Sequence, residues 1–404
     1  MIEKELIEVI QYNCKIGMVF YRREKVMQER NYSVEFWRFF LCITFMLIHV
    51  FMIYPVMYWH IPPYMIGDKI PCSGAMDIII IFYIVSGYFL MSSYKKNKEK
   101  RKDKKSTTAA EAGKYLLKRL KGLYPAFLIA LLIGLVLSNI YREIPIKDWP
   151  FTAIDSIWEW LGTIVTSLGI GNNAYGLYTD GAHALMNGPL WFISAIFIVG
   201  YLVYYLLEKC EDLYIGLIAP FSFLLAYGYF HINGISPMWY ETMLGGYLNQ
   251  AFVQAFVCMG LGVLFNVIIT KLKTHKFSTT AKFLLTIVQV ICAGIVVYHT
   301  LFTTNFYFTT IHALCAILIF LTLLNEDYLT KLLNHKIWKY PGKLALYIYM
   351  LHFPIIGVLY KSFNITNIPC LSIITVVVTL GLSMALMVLI DHVITPWLNR
   401  KKKA

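Results

Sequence analysis

The feature that most constrains this chain is a succession of apolar runs, each long enough to cross about 30 Å of hydrocarbon as a helix of about 17–25 residues. They lie at 37–58, 75–94, 123–140, 189–207, 213–232, 249–270, 283–299, 306–325, 344–360 and 371–394. Ten such runs leave little chain for a core solvated by water. Composition agrees, since 58% of the 404 residues are hydrophobic and 15% charged, against about 25% charge in a soluble domain. The expected fold class is all-α, a polytopic integral membrane protein of about ten transmembrane helices.

The formal net charge of +13 has three possible sources: a nucleic-acid partner, an anionic membrane surface, or the orientation bias of a membrane protein. Position decides among them. With a cytoplasmic N-terminus, the inner segments 1–36, 95–122, 208–212, 271–282, 326–343 and 395–404 hold 31 of the 36 basic residues. The outer segments hold Lys69, Arg142, Lys147 and Lys361, and Arg38 lies at the inner end of the first span. This asymmetry is the positive-inside pattern, and it puts both termini in the cytoplasm. No nucleic-acid partner is expected, and the lipid bilayer is the natural contact of the basic side.

The organisation that follows is a partly amphipathic cytoplasmic segment 1–36, a membrane domain 37–394 with a basic loop 95–122 and an outer loop 141–188, and a basic tail 395–404. Residues 1–30 carry Glu3, Glu5 and Glu8 at their start, unlike the basic region of a signal peptide. The run from Lys95 to Lys105 reads as a solvated stop-transfer loop, with a site for a polyanion such as a nucleotide as the sharper alternative. In the outer loop, Trp158 to Ile170 reads as an interfacial or re-entrant helix. As a full crossing it would turn every later basic cluster outward. The eight cysteines include no Cys-x-x-Cys pair, so neither a disulfide framework nor a metal site is expected. Only Cys72 and Cys370 face the outer side.

Ionisable residues inside lipid cost at least about 2.5–3.5 kcal/mol on insertion scales, so each is a candidate for function. Full charges within the ten spans are Arg38, Asp77 and Asp391. His231, His299 and His392 lie near span ends, where reaching to the interface explains them. His312 is a single imidazole on an apolar helix and reads as a hydrogen-bonded packing residue. His49 and His352 fall near mid-span, where neutral imidazole suits a general base in a poorly hydrated cavity. Arg38 precedes His49 by eleven positions, which returns a helix to within about 20° of the same face with about 16 Å of rise. One stripe of the first span thus carries a guanidinium at the cytoplasmic edge and an imidazole in the middle. Glu35 is one turn from Arg38 and placed to pair with it.

Four blocks of the sequence resemble the acyltransferase 3 family of integral-membrane proteins, which O-acylate surface polysaccharides and other exported acceptors. Tyr32 to Arg38 running on to His49 is similar to its opening block, an Arg, ten residues and a His. Phe82-Tyr83-Ile84-Val85-Ser86-Gly87-Tyr88 resembles its aromatic-Ser-Gly-aromatic second helix. Lys118-Arg119-Leu120-Lys121-Gly122-Leu123-Tyr124-Pro125 looks like the basic stretch before a Tyr-Pro at its third helix. Tyr347 to Pro354 resembles its late Tyr-x-x-His-x-Pro block. The blocks stand in family order. There are departures: Ile80 replaces an acid of the second helix, for which Asp77 one turn earlier is the nearest substitute. Gly122 replaces an Arg. The mid-chain segment beginning at Trp191 lacks the family's carboxylate.

The resemblance implies transfer of an acyl group, acetyl in the first instance, from cytoplasmic acetyl-CoA to a hydroxyl of a glycan or lipid-linked sugar, in the plasma (inner) membrane. Arg38 would bind an anionic part of the acyl-CoA donor, helped by Arg119 and Lys121, with Glu35 orienting it. His49 would act as general base or as a transient acyl carrier. Ser86, Asp77, Trp191, Tyr349 and His352 are the further candidates for lining or positioning, with helix packing as the rival role for Ser86 and interhelical hydrogen bonding for Tyr349 and His352. A transporter or flippase of lipid-linked sugars is the alternative from another class. Against it stand the lack of a visible internal repeat and the scarcity of intramembrane acids. A membrane acyltransferase of another fold would lack the stripe of Arg38 and His49. Oligomeric state is not legible.

Overall fold

The computed structural model describes residues 31–57, 59–101, 106–153, 189, 191–233, 242–243, 248–303 and 307–400. Its helices are α1 Tyr32–Ile48, α2 Ile80–Lys100, α3 Thr108–Tyr141, α4 Trp191–Leu213, α5 Ala219–Ile232, α6 Gln250–Leu272, α7 Thr279–Phe302, α8 Phe308–Leu324, the short α9 Tyr328–Leu333, α10 Lys339–Lys361, α11 Ile368–Leu389 and the short α12 Thr395–Arg400. π-helical turns extend α1 over His49–Ile53, precede α5 over Tyr214–Ile218 and follow α11 over Ile390–Ile394. Strands β1 Thr242–Met243 and β2 Leu248–Asn249 form one short antiparallel pair.

Several helices start where a polar side chain takes up an orphan backbone N–H. Asn31 caps α1 through Ser33 N, Thr107 caps α3 through Ala110 N, Ser278 caps α7, and Asn367 caps α11 through Cys370 N at 2.9 Å. Among the described residues, eight helical runs are long and apolar enough to cross a membrane, so the chain is an all-α multi-pass membrane protein. One of the eight, Ala195–Ile232, is broken at Cys210, which leaves helical geometry at φ −153°, ψ 61°. That break falls inside the expected loop 208–212. Phe308–Leu324 is a shorter apolar helix of 17 residues.

Contacts between helix ends sort them into two levels. At one level Tyr32 N donates to Asn334 at 2.7 Å, Lys98 pairs with Glu211, Lys282 with Glu326 and Lys343 with Asp391. At the other, Cys72 N donates to the Leu301 carbonyl at 2.7 Å, Tyr141 packs on Gly357 and His231 meets Thr309 at 3.3 Å. Successive apolar helices therefore run alternately up and down, with the basic ends gathered together.

The expected loop 95–122 is mostly helix. Residues 95–100 finish α2 and 108–122 begin α3, because Lys, Glu, Ala and Leu are good helix formers and Thr107 supplies a cap. Arg101 is not solvated as a stop-transfer residue would be. It binds Glu111 at 3.1 Å and also Glu208, tying α2 to α3 and α4. Burial opposes its cation, but the hydrogen bond and charge of Glu208, with Glu111 behind, outweigh that and raise its pKa. The expected segment 1–30, the helix from Trp158 to Ile170 and the tail beyond residue 400 lie outside the described residues. The seven described cysteines, Cys72 and Cys370 among them, are free thiols.

Two large apolar clusters and a small one around Ile48, Phe51, Cys72 and Ala75 make the described core. Of the two large ones, the first is built mainly from α2, α4, α5, α6 and α8 with one side of α1, the second from the other side of α1 with α3, α10 and α11. Within the first, α2 and α6 cross at backbone contact: a Cβ on Gly87 would strike the Met259 carbonyl, and one on Gly262 the Ile84 carbonyl. Lipid offers no hydrophobic drive to join two helices, so such small-residue contacts supply the packing. Gly87→Ala or Gly262→Ala is expected to cost about 1–3 kcal/mol or more. Gly294→Ala, where a Cβ meets nothing within 4 Å, is expected to be neutral or mildly stabilising. Thermal unfolding of the purified variants in detergent checks this; equal midpoints for all three would contradict the close crossing.

Candidate active site

A cavity of about 520 Å³ lies along the seam between the two apolar clusters, with walls from α1, α2, α3, α4 and α10. On α2 its wall is the face carrying Phe82, Ser86, Phe89, Ser93 and Asn97, which recur at three- and four-residue intervals. From Phe82 to Asn97 is about 22 Å of helix. The cavity is therefore long, polar and basic at one end, and apolar and aromatic at depth.

The basic end is made by Arg38, Lys118 and Arg119. Arg38 is one-third exposed and donates to Glu35 at 3.0 Å, and Glu35 is wedged against Gly342 of α10. Asn97 donates to the Tyr204 hydroxyl at 3.1 Å, and the Arg119 guanidinium lies 5.5 Å from the centre of the Tyr115 ring. Residues 115, 118, 119, 122 and 123 share one face of α3. Lys121 is on another face and exposed, so the expected pair of Arg119 and Lys121 is corrected to Lys118 and Arg119. The rotational phase of α3, set by its packing on α4 and α10, is the physical reason.

Along α1, Arg38, Cys42 and Phe45 line the cavity, and the same stripe continues to His49 one turn further on. Cys42 donates its thiol to the Ala345 carbonyl at 3.0 Å, which pins α1 to α10. His49 itself is 5% exposed and starts the π turn, a distortion often found at functional positions. Its ring centre is 4.9 Å from that of His352, which is 1% exposed. Sequence spacing could not show that these two residues, 303 positions apart, form a pair.

Each imidazole faces a backbone carbonyl one turn earlier on its own helix. His49 Nδ1 is 2.7 Å from the Phe45 oxygen and His352 Nδ1 is 3.0 Å from the Ile348 oxygen. A carbonyl only accepts, so each Nδ1 carries the proton and each Nε2 carries the lone pair. His352 Nε2 is buried with no partner among the described residues. Leaving such a group unmet costs about 1–3 kcal/mol. The two nitrogens are hydrogen-bond acceptors whose natural complement is an O–H.

The other expected positions separate into two groups. Ser86 faces the cavity while its neighbour Gly87 makes the packing contact. Tyr349 also lines the cavity, with its hydroxyl donating to the Pro189 carbonyl just before α4. Asp77 is elsewhere. It sits in the turn before α2, and its carboxylate is 2.9 Å from His299 Nε2. It does not stand in for an acid beside Ser86. His299 is 2% exposed, so it does not reach to an interface as expected; Asp77 meets it inside. His312 bonds the Tyr227 hydroxyl at 3.0 Å, as a packing residue would. Trp191 opens α4, and its side chain is outside the described set.

The family model described as an acyltransferase domain, acyltransferase 3, matches residues 31–392. No curated protein and no solved structure matches the chain significantly.

The tautomer assignment is directly measurable. With histidine labelled by nitrogen-15, solid-state NMR of the protein in lipid is expected to show at least two neutral imidazoles protonated at Nδ1, and both signals vanish in turn in His49→Gln and His352→Gln. Protonation at Nε2 in both would mean the backbone contacts are not hydrogen bonds.

Proposed function

The chain belongs to the acyltransferase 3 family and is a membrane acyltransferase, and on that premise we propose that it is an O-acetyltransferase. Its donor is acetyl-CoA, entering from the cytoplasmic side, and its acceptor is a hydroxyl of a surface or exported polysaccharide or of the lipid-linked precursor. The reading places the basic ends of the helices in the cytoplasm, which the positive-inside pattern supports, and the chain in the plasma membrane.

The observation that carries this reading is the α1 stripe: Arg38, Cys42 and Phe45 line one elongated cavity, and His49 follows on the same face. Arg38, Lys118 and Arg119 present three cations where the phosphates of the donor would lie, with Glu35 holding the Arg38 fork. The pantetheine arm and thioester would extend along Ser93, Phe89 and Ser86 toward the aromatic end. Charge thus sits at the surface and the reacting carbonyl in the dry interior.

At the reacting end, His49 Nε2 takes the proton of the acceptor hydroxyl as its oxygen attacks the thioester carbonyl. The C–S bond breaks, and the leaving thiolate takes the proton from the imidazolium. Nothing is oxidised or reduced. The bond from His49 Nδ1 to the Phe45 carbonyl aims the ring and stabilises the transient cation. His352 Nε2 accepts a hydrogen bond from the acceptor and positions it.

Removing a general base costs about 10²–10⁴-fold in rate. His49→Ala is therefore expected to lower acyl incorporation into surface glycan by that factor at normal protein abundance, measured by ester-specific mass spectrometry of the glycan. Undiminished acylation would refute the assignment. Arg38→Gln is expected to weaken coenzyme A binding to the purified protein about tenfold or more, the scale of one charge-assisted hydrogen bond. Unaltered affinity would remove Arg38 from the donor site.

A further inference from the structure

Two side chains belong at once to the cavity and to the histidine pair. Phe45 and Tyr349 are lining residues of the cavity, whereas His49 and His352 are not among them. The Phe45 ring centre is 4.9 Å from that of His49 and 6.3 Å from that of His352. The Tyr349 ring is 6.0 Å from His352 and 5.9 Å from Phe45. The two aromatic rings are neighbours, and each borders both the cavity and an imidazole.

Both rings are held. Phe45 is 5% exposed and part of the first apolar cluster. Tyr349 is fixed at its far end by the hydroxyl bond to Pro189, and Phe192 of α4 packs on it at 5.9 Å. Phe192 in turn touches Phe82 at 6.0 Å and Tyr83 at 4.5 Å. A thioester lying in the cavity meets this aromatic wall before it meets either Nε2.

We propose that Phe45 and Tyr349 form a partition between the donor cavity and the His49 and His352 pair, and that its limited opening restricts the transferred acyl group to short chains. The inference rests on the reading of the cavity as the donor site. Transfer requires the carbonyl carbon to come within reach of His49 Nε2, so the Phe45 ring must turn aside while the acyl group passes. An acetyl group needs a gap for one methyl. A longer chain needs the wall to stay displaced along its whole length, against the packing of Phe192 and the bond from Tyr349 to Pro189. A partition of this kind also keeps the basic end and the histidine pair from being joined by water when no donor is bound.

The test uses membranes containing the full chain and three probes: acetyl-, butanoyl- and octanoyl-coenzyme A. Release of free coenzyme A thiol is followed, with His49→Ala membranes as background. For the native protein the acetyl probe is expected to turn over at least about tenfold faster than the octanoyl probe, the scale on which apolar pockets discriminate chain length. Phe45→Ala is expected to bring the two rates within about threefold of each other, chiefly by raising the octanoyl rate. Because Phe45 is buried and its truncation can impair folding, Phe45→Leu is run beside it, and is expected to move the ratio in the same direction. Size-exclusion profiles and bound coenzyme A establish that each variant is intact.

A ratio unchanged in both intact variants overturns the partition, as does a native protein that turns over octanoyl and acetyl probes equally well. Failure of the donor reading looks different: the native protein then binds none of the three probes and releases no more thiol than the His49→Ala background.

Discussion

The structure depends on backbone contact between α2 and α6. In a membrane, neither helix gains by leaving lipid for the other unless the two surfaces fit better than either fits acyl chains. Gly87 against Met259 and Gly262 against Ile84 provide that fit, because at neither position is there room for a single added carbon. The contact fixes both the depth and the rotation of α2. Once α2 is fixed, Phe82, Ser86, Phe89, Ser93 and Asn97 must present one face to the seam between the two apolar clusters. The cavity is the space left on the side of α2 turned away from α6.

The second constraint is the absence of water at depth. Polar groups in the interior must find partners in the protein, and most do so in a way that fixes their geometry. His299 has Asp77, His312 has the Tyr227 hydroxyl, and Gln289 has Thr322 and Thr330. The Nε2 of His352 is one of several buried polar atoms with no partner among the described residues, that of His312 included, and what sets it apart is the second imidazole, His49, 4.9 Å away between ring centres. The other nitrogen of His352 is satisfied, so the ring has not been left in a poor orientation. On the proposed reading, the Nε2 is the group that would meet the acceptor hydroxyl.

Much of this could be read from the residues. Apolar runs gave the helices, the break at Cys210 fell in the short segment between two of them, and an eleven-residue interval put Arg38 and His49 on one stripe. These are local properties, repeated every turn, and packing has no means to change them. What was not legible depended on the phase or pairing of distant segments. Lys118 rather than Lys121 faces the cavity because of the way α3 is rotated, and no run of eight letters determines that. Asp77 and His299 are 222 positions apart, and taken alone the first read as a candidate for the site and the second as a residue reaching to the interface. Arg101 looked like one more member of a solvated basic run, although two acids from two other helices enclose it.

The same distinction bears on the division of labour along α1. Residues three or four apart on a helix share a face, so a stripe running from Arg38 to His49 in steps of four, three and four passes Cys42 and Phe45. Polar residues at both intermediate positions would have given a continuous wet path from the basic surface to mid-membrane. A buried thiol bonded to a carbonyl and a phenyl ring give instead a charged end and a basic nitrogen separated by an apolar step. That step matters in a membrane acyltransferase. A thioester is itself weakly polar and can cross apolar surroundings, whereas phosphates, protons and water cannot do so cheaply. On the proposed reading, the arrangement would admit the one part of the donor that has to react and hold back the parts that only have to bind.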